Sequence, residues 1–240
     1  MKATVRVLEI NIDNVNMQEA VDIAKDMAKN RCPGIIVTPN SEIVVRARED
    51  RHLKKILEKA SLSIPDGIGL VWASRLKGQP LKERVPGIDF MTELLAVAAR
   101  ESYGVYFLGA RPGVAGEAAE RLKKELPGLQ VRGFRHGYFT PEEEVTIVEE
   151  IKRLKPHFLF VGLGAGKQEK WIQKYYRELG VPVAVGVGGS FDVLAGRVSR
   201  APLIFRKRGL EWLYRLLQQP YRFLRLLTLL KFARLAIREK

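Results

Sequence analysis

Through the first 195 residues, short runs of β-branched and aromatic residues alternate with amphipathic stretches of helical length. The strand-like runs are Val5–Ile10, Gly34–Thr38, Val105–Gly109, Gln130–Phe134, Phe158–Gly162 and Val183–Val187. Between them lie the helical patterns Met17–Asn30, Ser41–Ala60, Phe90–Glu101, Gly113–Leu126, Pro141–Leu154 and Gln168–Leu179. Strands joined by helical crossovers pair in parallel, and a parallel sheet has to be covered on both faces. Residues 1–195 are therefore expected to form an α/β domain, a Rossmann-like, largely parallel sheet with helices on both sides. Thr140-Pro141-Glu142-Glu143 supplies an N-cap, a first-turn proline and a capping-box acid, and Asn16 with Glu19 offers a similar start.

At 46% hydrophobic residues the chain can bury a sizeable core, which excludes a disordered or fibrous protein. Its one cysteine, Cys32, forbids an internal disulfide, and the three histidines have no zinc-type spacing from it or from one another. No metal and no cofactor are expected. The start, MKATVRVLEINI, has a single early lysine and a strand-like alternation instead of an apolar signal core. No run approaches the length of a membrane span. A cytoplasmic location is expected.

Charge divides the chain. Of a net +14, residues 196–240 carry +10, from twelve basic side chains against only Glu211 and Glu239. Within this tail, YRFLRLLTLLKFARLAIR at Tyr221–Arg238 reads as a helix. The expectation is that Arg222, Arg225, Lys231, Arg234 and Arg238 share one broad face and Phe223, Leu224, Leu227, Leu230 and Ile237 the other. Pro220 separates it from a shorter helix carrying Trp212 and Arg215. A basic helix rich in leucine fits a membrane surface with anionic lipids, so residues 196–240 are read as a membrane-association appendage. Packing on the protein's own core is the competing reading. Nucleic acid is a poor partner for so many leucines. Without a membrane, the apolar face favours self-association into a homo-oligomer.

In parallel sheets ligands bind beyond the carboxyl ends of the strands. The segments expected there are Thr38–Ser41, Pro65–Gly69, Gly109–Gly113, Gly162–Glu169 and Gly186–Asp192, all small, polar or glycine-rich. Such loops let backbone N–H groups approach a phosphate. Gly162–Lys167 fits neither a Walker loop nor the dinucleotide fingerprint, because the spacing of its glycines is wrong for both. Asp66 is read either as a turn or cap residue or as a general base, with Asp89 and Asp192 as rivals. Thr38 and Asn40 are read as helix caps or ligand contacts, and Arg84 and Arg111 as solvated cations or partners of a diphosphate.

Together these loops resemble the WecG/TagA/CpsF glycosyltransferase family (family 26). The resemblance rests on Thr38-Pro39-Asn40, Pro65-Asp66-Gly67-Ile68-Gly69, the R-x-x-G-x-D element Arg84–Asp89, Gln168-Glu169-Lys170-Trp171, and Gly189-Ser190-Phe191-Asp192 with Gly196 and Arg200-Ala201-Pro202. It runs from about residue 5 to the end, and the tail is most similar to the teichoic-acid branch. One departure is Gly166 before Lys167, where the family has proline.

The resemblance implies an inverting, metal-independent transferase that moves N-acetylmannosamine from UDP-ManNAc to the 4-hydroxyl of GlcNAc on undecaprenyl diphosphate. This is the linkage unit of wall teichoic acid. The rival readings are transfer of N-acetylmannosaminuronic acid, as in enterobacterial common antigen synthesis, and a non-catalytic nucleotide-binding protein at the membrane surface. On the leading reading Asp66 is the base, and Arg84 and Arg215 meet the diphosphate. Thr38, Asn40, Gly67, Asp89, Gly109, Arg111, Gly164, Lys167, Gln168, Glu169, Gly189 and Asp192 line the substrates. Arg222, Arg225, Lys231 and Arg234 face the membrane, on the inner side of which the protein is expected as a peripheral protein.

Overall fold

A computed structural model describes residues 3–218 and 223–239; the side chains of Lys207, Arg215, Phe223, Leu224 and Arg225 lie outside that description. Arg222, expected at the membrane, is outside the described residues altogether. The chain opens with β1 (Thr4–Val7) and β2 (Ile10–Asp13), an antiparallel pair, followed by α1 (Met17–Lys29). The single strand expected over Val5–Ile10 is thus a hairpin outside the main sheet. Leu8 and Glu9 both adopt positive φ, 45° and 72°, the backbone that lets two residues reverse a strand. No glycine marks that turn, so residue chemistry alone does not announce it.

The main sheet holds β3 (Gly34–Val37), β4 (Leu62–Ser63), β5 (Gly104–Gly109), β6 (Gln130–Arg135), β7 (Phe158–Gly162) and β8 (Val183–Gly186). All its pairings are parallel, in the order β4-β3-β8-β7-β5-β6. The crossovers contain α2 (Ser41–Glu49), α3 (Arg51–Lys59), α4 (Ile68–Leu76), α5 (Gly87–Arg100), α6 (Val114–Glu125), α7 (Pro141–Leu154) and α8 (Lys167–Leu179). The α/β expectation holds. One helix expected over Ser41–Ala60 is two, because Asp50 leaves helical geometry and caps the second through the N–H of Leu53 at 3.0 Å.

Alternate strand residues feed two cores. Tyr106, Leu108, Leu159 and Val161 pack with α2, α3, α7 and α8, while Val105, Phe107, Phe158 and Phe160 pack with α1, α5 and α6. Gly109 shows why some strand ends have to be glycine. Its φ is +138°, and a Cβ there would sit 2.4 Å from the carbonyl oxygen of Gly162.

After β8 come α9 (Ser190–Leu194), α10 (Leu203–Lys207), α11 (Glu211–Gln218) and α12 (Phe223–Arg238). α12 lies against α2 and α4, with Phe232 and Ala236 at 2% and 1% exposure in the same core as the hairpin. The two-faced charge pattern expected for this helix is not what forms. Lys231, Arg234 and Arg238 are exposed on the same outward side as Leu227, Leu230 and Ile237. At about 100° per residue these positions interleave in one stripe, and the opposite side is taken by the core.

Candidate active site

The strand-end loops and the last helices enclose a cavity of about 620 Å³ at the carboxyl edge of β3, β4, β7 and β8. Its floor is made by Thr38 and Asn40 after β3, Asp66 and Gly67 after β4, Gly164 and Gln168 after β7, and Gly188 and Gly189 after β8. Its roof is mostly apolar, made of Trp212 and Leu216 from α11 and Leu226, Leu229 and Phe232 from α12, with Glu211 and Arg208 as its charged members among the described residues. Ile68 and Trp72 on α4, each about two-fifths exposed, stand beside that roof.

Each polar group on the floor is fixed by a neighbour. Thr38 donates its hydroxyl to the carbonyl of Gly186 at 3.1 Å, tying β3 to β8. Asn40 caps α2, its side-chain oxygen accepting from the N–H groups of Glu42 and Ile43 at 3.0 and 3.1 Å. Its capping role is therefore real, and it also faces the cavity. Gln168 accepts from the N–H of Gly188 at 3.0 Å and donates to Glu169 at 2.7 Å, so one amide side chain bridges two glycine loops.

Glu169 is 1% exposed and accepts from the N–H of Gly166 at 2.7 Å, closing the first turn of α8. Burial pushes its carboxyl above the usual range, against the opposing pull of the bonds from Gln168 and Gly166. Gly166 has φ +83°, which proline cannot adopt, and it donates an N–H that proline lacks. The turn in this chain is thus built on a left-handed glycine.

Asp66 and Arg84 form the charged centre. Arg84 donates from Nε to the backbone carbonyl of Asp66 at 2.6 Å, and its Nη2 lies 3.7 Å from the Asp66 carboxylate. That carboxylate also accepts from the N–H of Gly87 at 3.0 Å. The same Nη2 reaches Glu211 on α11 at 3.2 Å. Glu211 is the residue that sequence reasoning passed over: it is 4% exposed, lies in a segment read as a basic, leucine-rich membrane appendage, and still faces the cavity. Being one of only two acids among twelve bases was the available signal. α4 opens at Gly67 without a side-chain cap, and Gly67, Ile68 and Gly69 line the cavity, so the positive end of its helix dipole favours an anion there.

Of the sequence-expected residues, the cavity brings together Thr38, Asn40, Asp66, Gly67, Arg84, Gly164, Gln168, Glu169 and Gly189. Asp89, Gly109, Arg111, Lys167 and Asp192 are not among its lining residues. Asp89 makes a close ion pair with Arg200, and Arg111 and Lys167 are exposed. Arg215 sits on α11, one turn beyond Glu211, with its side chain outside the described residues. Among the described residues no helix is long and apolar enough to cross a membrane.

Similarity to known proteins agrees with this arrangement. A family model described as "Glycosyl transferase WecG/TagA/CpsF family" matches residues 5–240. The chain is 40% identical over 205 residues to a Bacillus spizizenii protein named N-acetylglucosaminyldiphosphoundecaprenol N-acetyl-beta-D-mannosaminyltransferase, covering 85% of this chain and 79% of the relative. A Staphylococcus aureus protein of the same name is 39% identical over 217 residues, covering 90% and 85%. The matched span takes in the loops of the floor and the helices of the roof alike, and the chain belongs to the WecG/TagA/CpsF glycosyltransferase family.

Proposed function

We propose that this protein transfers N-acetylmannosamine from UDP-ManNAc to the 4-hydroxyl of GlcNAc attached through diphosphate to undecaprenol, with inversion at the anomeric carbon and without a metal. The observation that carries the reading is one cavity with a charged floor and an apolar roof, in a chain about 40% identical to two proteins named for that transfer. The acceptor has the same division, a sugar diphosphate joined to a hydrocarbon.

In this mechanism Asp66 takes the proton of the acceptor hydroxyl as its oxygen attacks the anomeric carbon, and the bond to UDP breaks on the opposite face. One displacement needs one base and no enzyme nucleophile. Negative charge grows on the departing diphosphate, and Arg84 with the uncapped start of α4 supplies fixed positive potential. We assign Arg215, on α11, to the same diphosphate. Gln168 holds the Gly188–Gly189 loop against which the donor lies, and Thr38 and Asn40 set the floor under the sugars. Lys231 and Arg234, with Leu227 and Leu230, hold the protein as a peripheral protein on the inner membrane face, where the acceptor resides.

The test incubates the full chain with UDP-ManNAc and lipid-linked GlcNAc diphosphate in vesicles and follows both UDP release and label in the lipid. A β-linked disaccharide lipid formed equally with and without EDTA is expected. Label transferred only from the uronic-acid donor would select the enterobacterial-type reaction, and UDP binding without turnover would leave a nucleotide-binding protein. Loss of turnover with EDTA, restored by a divalent ion, would remove the metal-free part.

A further inference from the structure

The contact between Arg84 and Glu211 joins the base to the end of the chain. Arg84 Nη2 lies 3.2 Å from the Glu211 carboxylate and 3.7 Å from that of Asp66, so two acids share one terminal nitrogen of the guanidinium and the nearer is not the base. Glu211 is also the more buried of the two, with a side chain 5% exposed against 25% for Asp66. A carboxylate fully paired with a guanidinium is a weaker base, because the pair favours its ionised form. We propose that Glu211 is a positioning residue for the transfer reaction: it holds Arg84 off a full ion pair with Asp66 and thereby sets the basicity of that carboxylate.

Two effects act in the same direction. Glu211 draws the guanidinium toward α11, and its own negative charge opposes ionisation of a second acid nearby. Among the described residues, the other charged ones lining this cavity are Glu42 on α2, Glu169 on α8 and Arg208 just before α11, and Arg215 follows Glu211 by one turn. Glu42, Asp66 and Glu211 each make further interactions as well, so the proposal concerns the balance at Arg84 and requires none of them to be unpaired. Arg84 itself stays anchored through its Nε bond to the Asp66 carbonyl at 2.6 Å. Losing Glu211 would therefore rotate the guanidinium toward Asp66 instead of releasing it.

This inference rests on the transferase reading, and the experiment separates the two. Turnover of wild type and Glu211→Gln is measured at saturating donor and acceptor from about pH 3.5 to about pH 9, a window that takes in the ordinary carboxylate range. The acid limb of kcat should move to lower pH by about one unit in the variant, the scale of a carboxylate gaining a close cation. The plateau should fall about tenfold, since a weaker base removes a proton less well.

A merely structural role would lower the plateau or raise KM while leaving the limb in place, and that result overturns the proposal. If Glu211→Gln does not fold, Glu211→Asp draws the carboxylate back from Arg84 and should move the limb the same way by less; an unmoved limb there overturns it equally. Wild type without any transfer sinks the functional reading and this inference with it. Wild type that transfers, beside a variant with an unshifted limb, sinks the inference alone.

Discussion

The floor of the cavity comes from loops that leave the sheet, whereas the roof comes from helices that follow the last strand, and the two are specified differently. On the floor, glycines, capping residues and polar side chains sit where strand ends require them, held both by short-range bonds such as Asn40 to Glu42 and Ile43 and by bonds between loops such as Thr38 to Gly186. On the roof the decisive contacts are long-range. Glu211 reaches Arg84, Glu239 pairs with Arg48 and Lys77, and Phe232 enters the core shared by the hairpin and α2. Both acids of the basic tail are thus ties to the rest of the protein.

The largest effect is expected on the floor. Asp66→Asn keeps the size of the side chain and removes its basicity, so turnover should fall by about two to four orders of magnitude. UDP binding, followed by calorimetry, should change little. Near-normal turnover would break the assignment of the base to Asp66.

Next comes the inner side of the roof. Phe232 is 2% exposed, and its ring lies against α4 close enough that a Cβ on Gly69 would be 3.2 Å from it. Phe232→Ala should cost about 3–5 kcal/mol of stability, read from denaturant unfolding, as for other large buried aromatics. A loss below about 1 kcal/mol, the level of an ordinary surface site, would show that the roof contributes little to the fold.

The outer side of the same helix should behave in the opposite way. Lys231→Gln with Arg234→Gln removes two exposed cations beside Leu227 and Leu230. Stability should hardly change. Affinity for vesicles rich in anionic lipid should fall about thirtyfold, from roughly 1 kcal/mol for each basic residue near the surface. Equal binding by both proteins would remove the membrane from the account of this face.

The same contrast explains what could be read in advance. Strand and helix alternation is a local signal, and it gave the parallel sheet and most of its crossovers. Loops at strand ends are local too, and with the family resemblance that brought in Arg84 they led to the expectation that Thr38, Asn40, Asp66, Arg84 and Gln168 share one place; these line one cavity, whereas Gly109, Arg111, Lys167 and Asp192 from the same kind of loop do not. The hairpin stayed hidden because Leu8 and Glu9 turn in a backbone that their side chains do not advertise. Asp50 broke an expected helix because a cap residue inside an amphipathic stretch also reads as an ordinary surface acid. Glu211 was missed for a third reason: its partner is 127 positions away, beyond any local pattern.

The smallest expected effect concerns the floor's own foundation and sharpens its distinction from the roof. Glu169 accepts from the Gly166 N–H and from Gln168, yet burial raises its carboxyl above the ordinary value, so the fold favours the protonated form. Its contribution to stability is fully present below the unfolded-state pKa and is lost as pH rises through the raised folded value. Glu169→Gln carries no such charge, but its amide nitrogen cannot accept one of the two bonds. At pH 5 the variant should therefore melt below wild type, by the equivalent of about 1 kcal/mol for one lost bond. Between that pH and about pH 8 the gap should narrow, because only wild type then pays for ionising a buried acid. Melting curves at both values decide the matter. A gap that stays constant, or widens toward alkaline pH, would mean that the bonds from Gly166 and Gln168 outweigh burial and that Glu169 is held as an anion under the glycine loops.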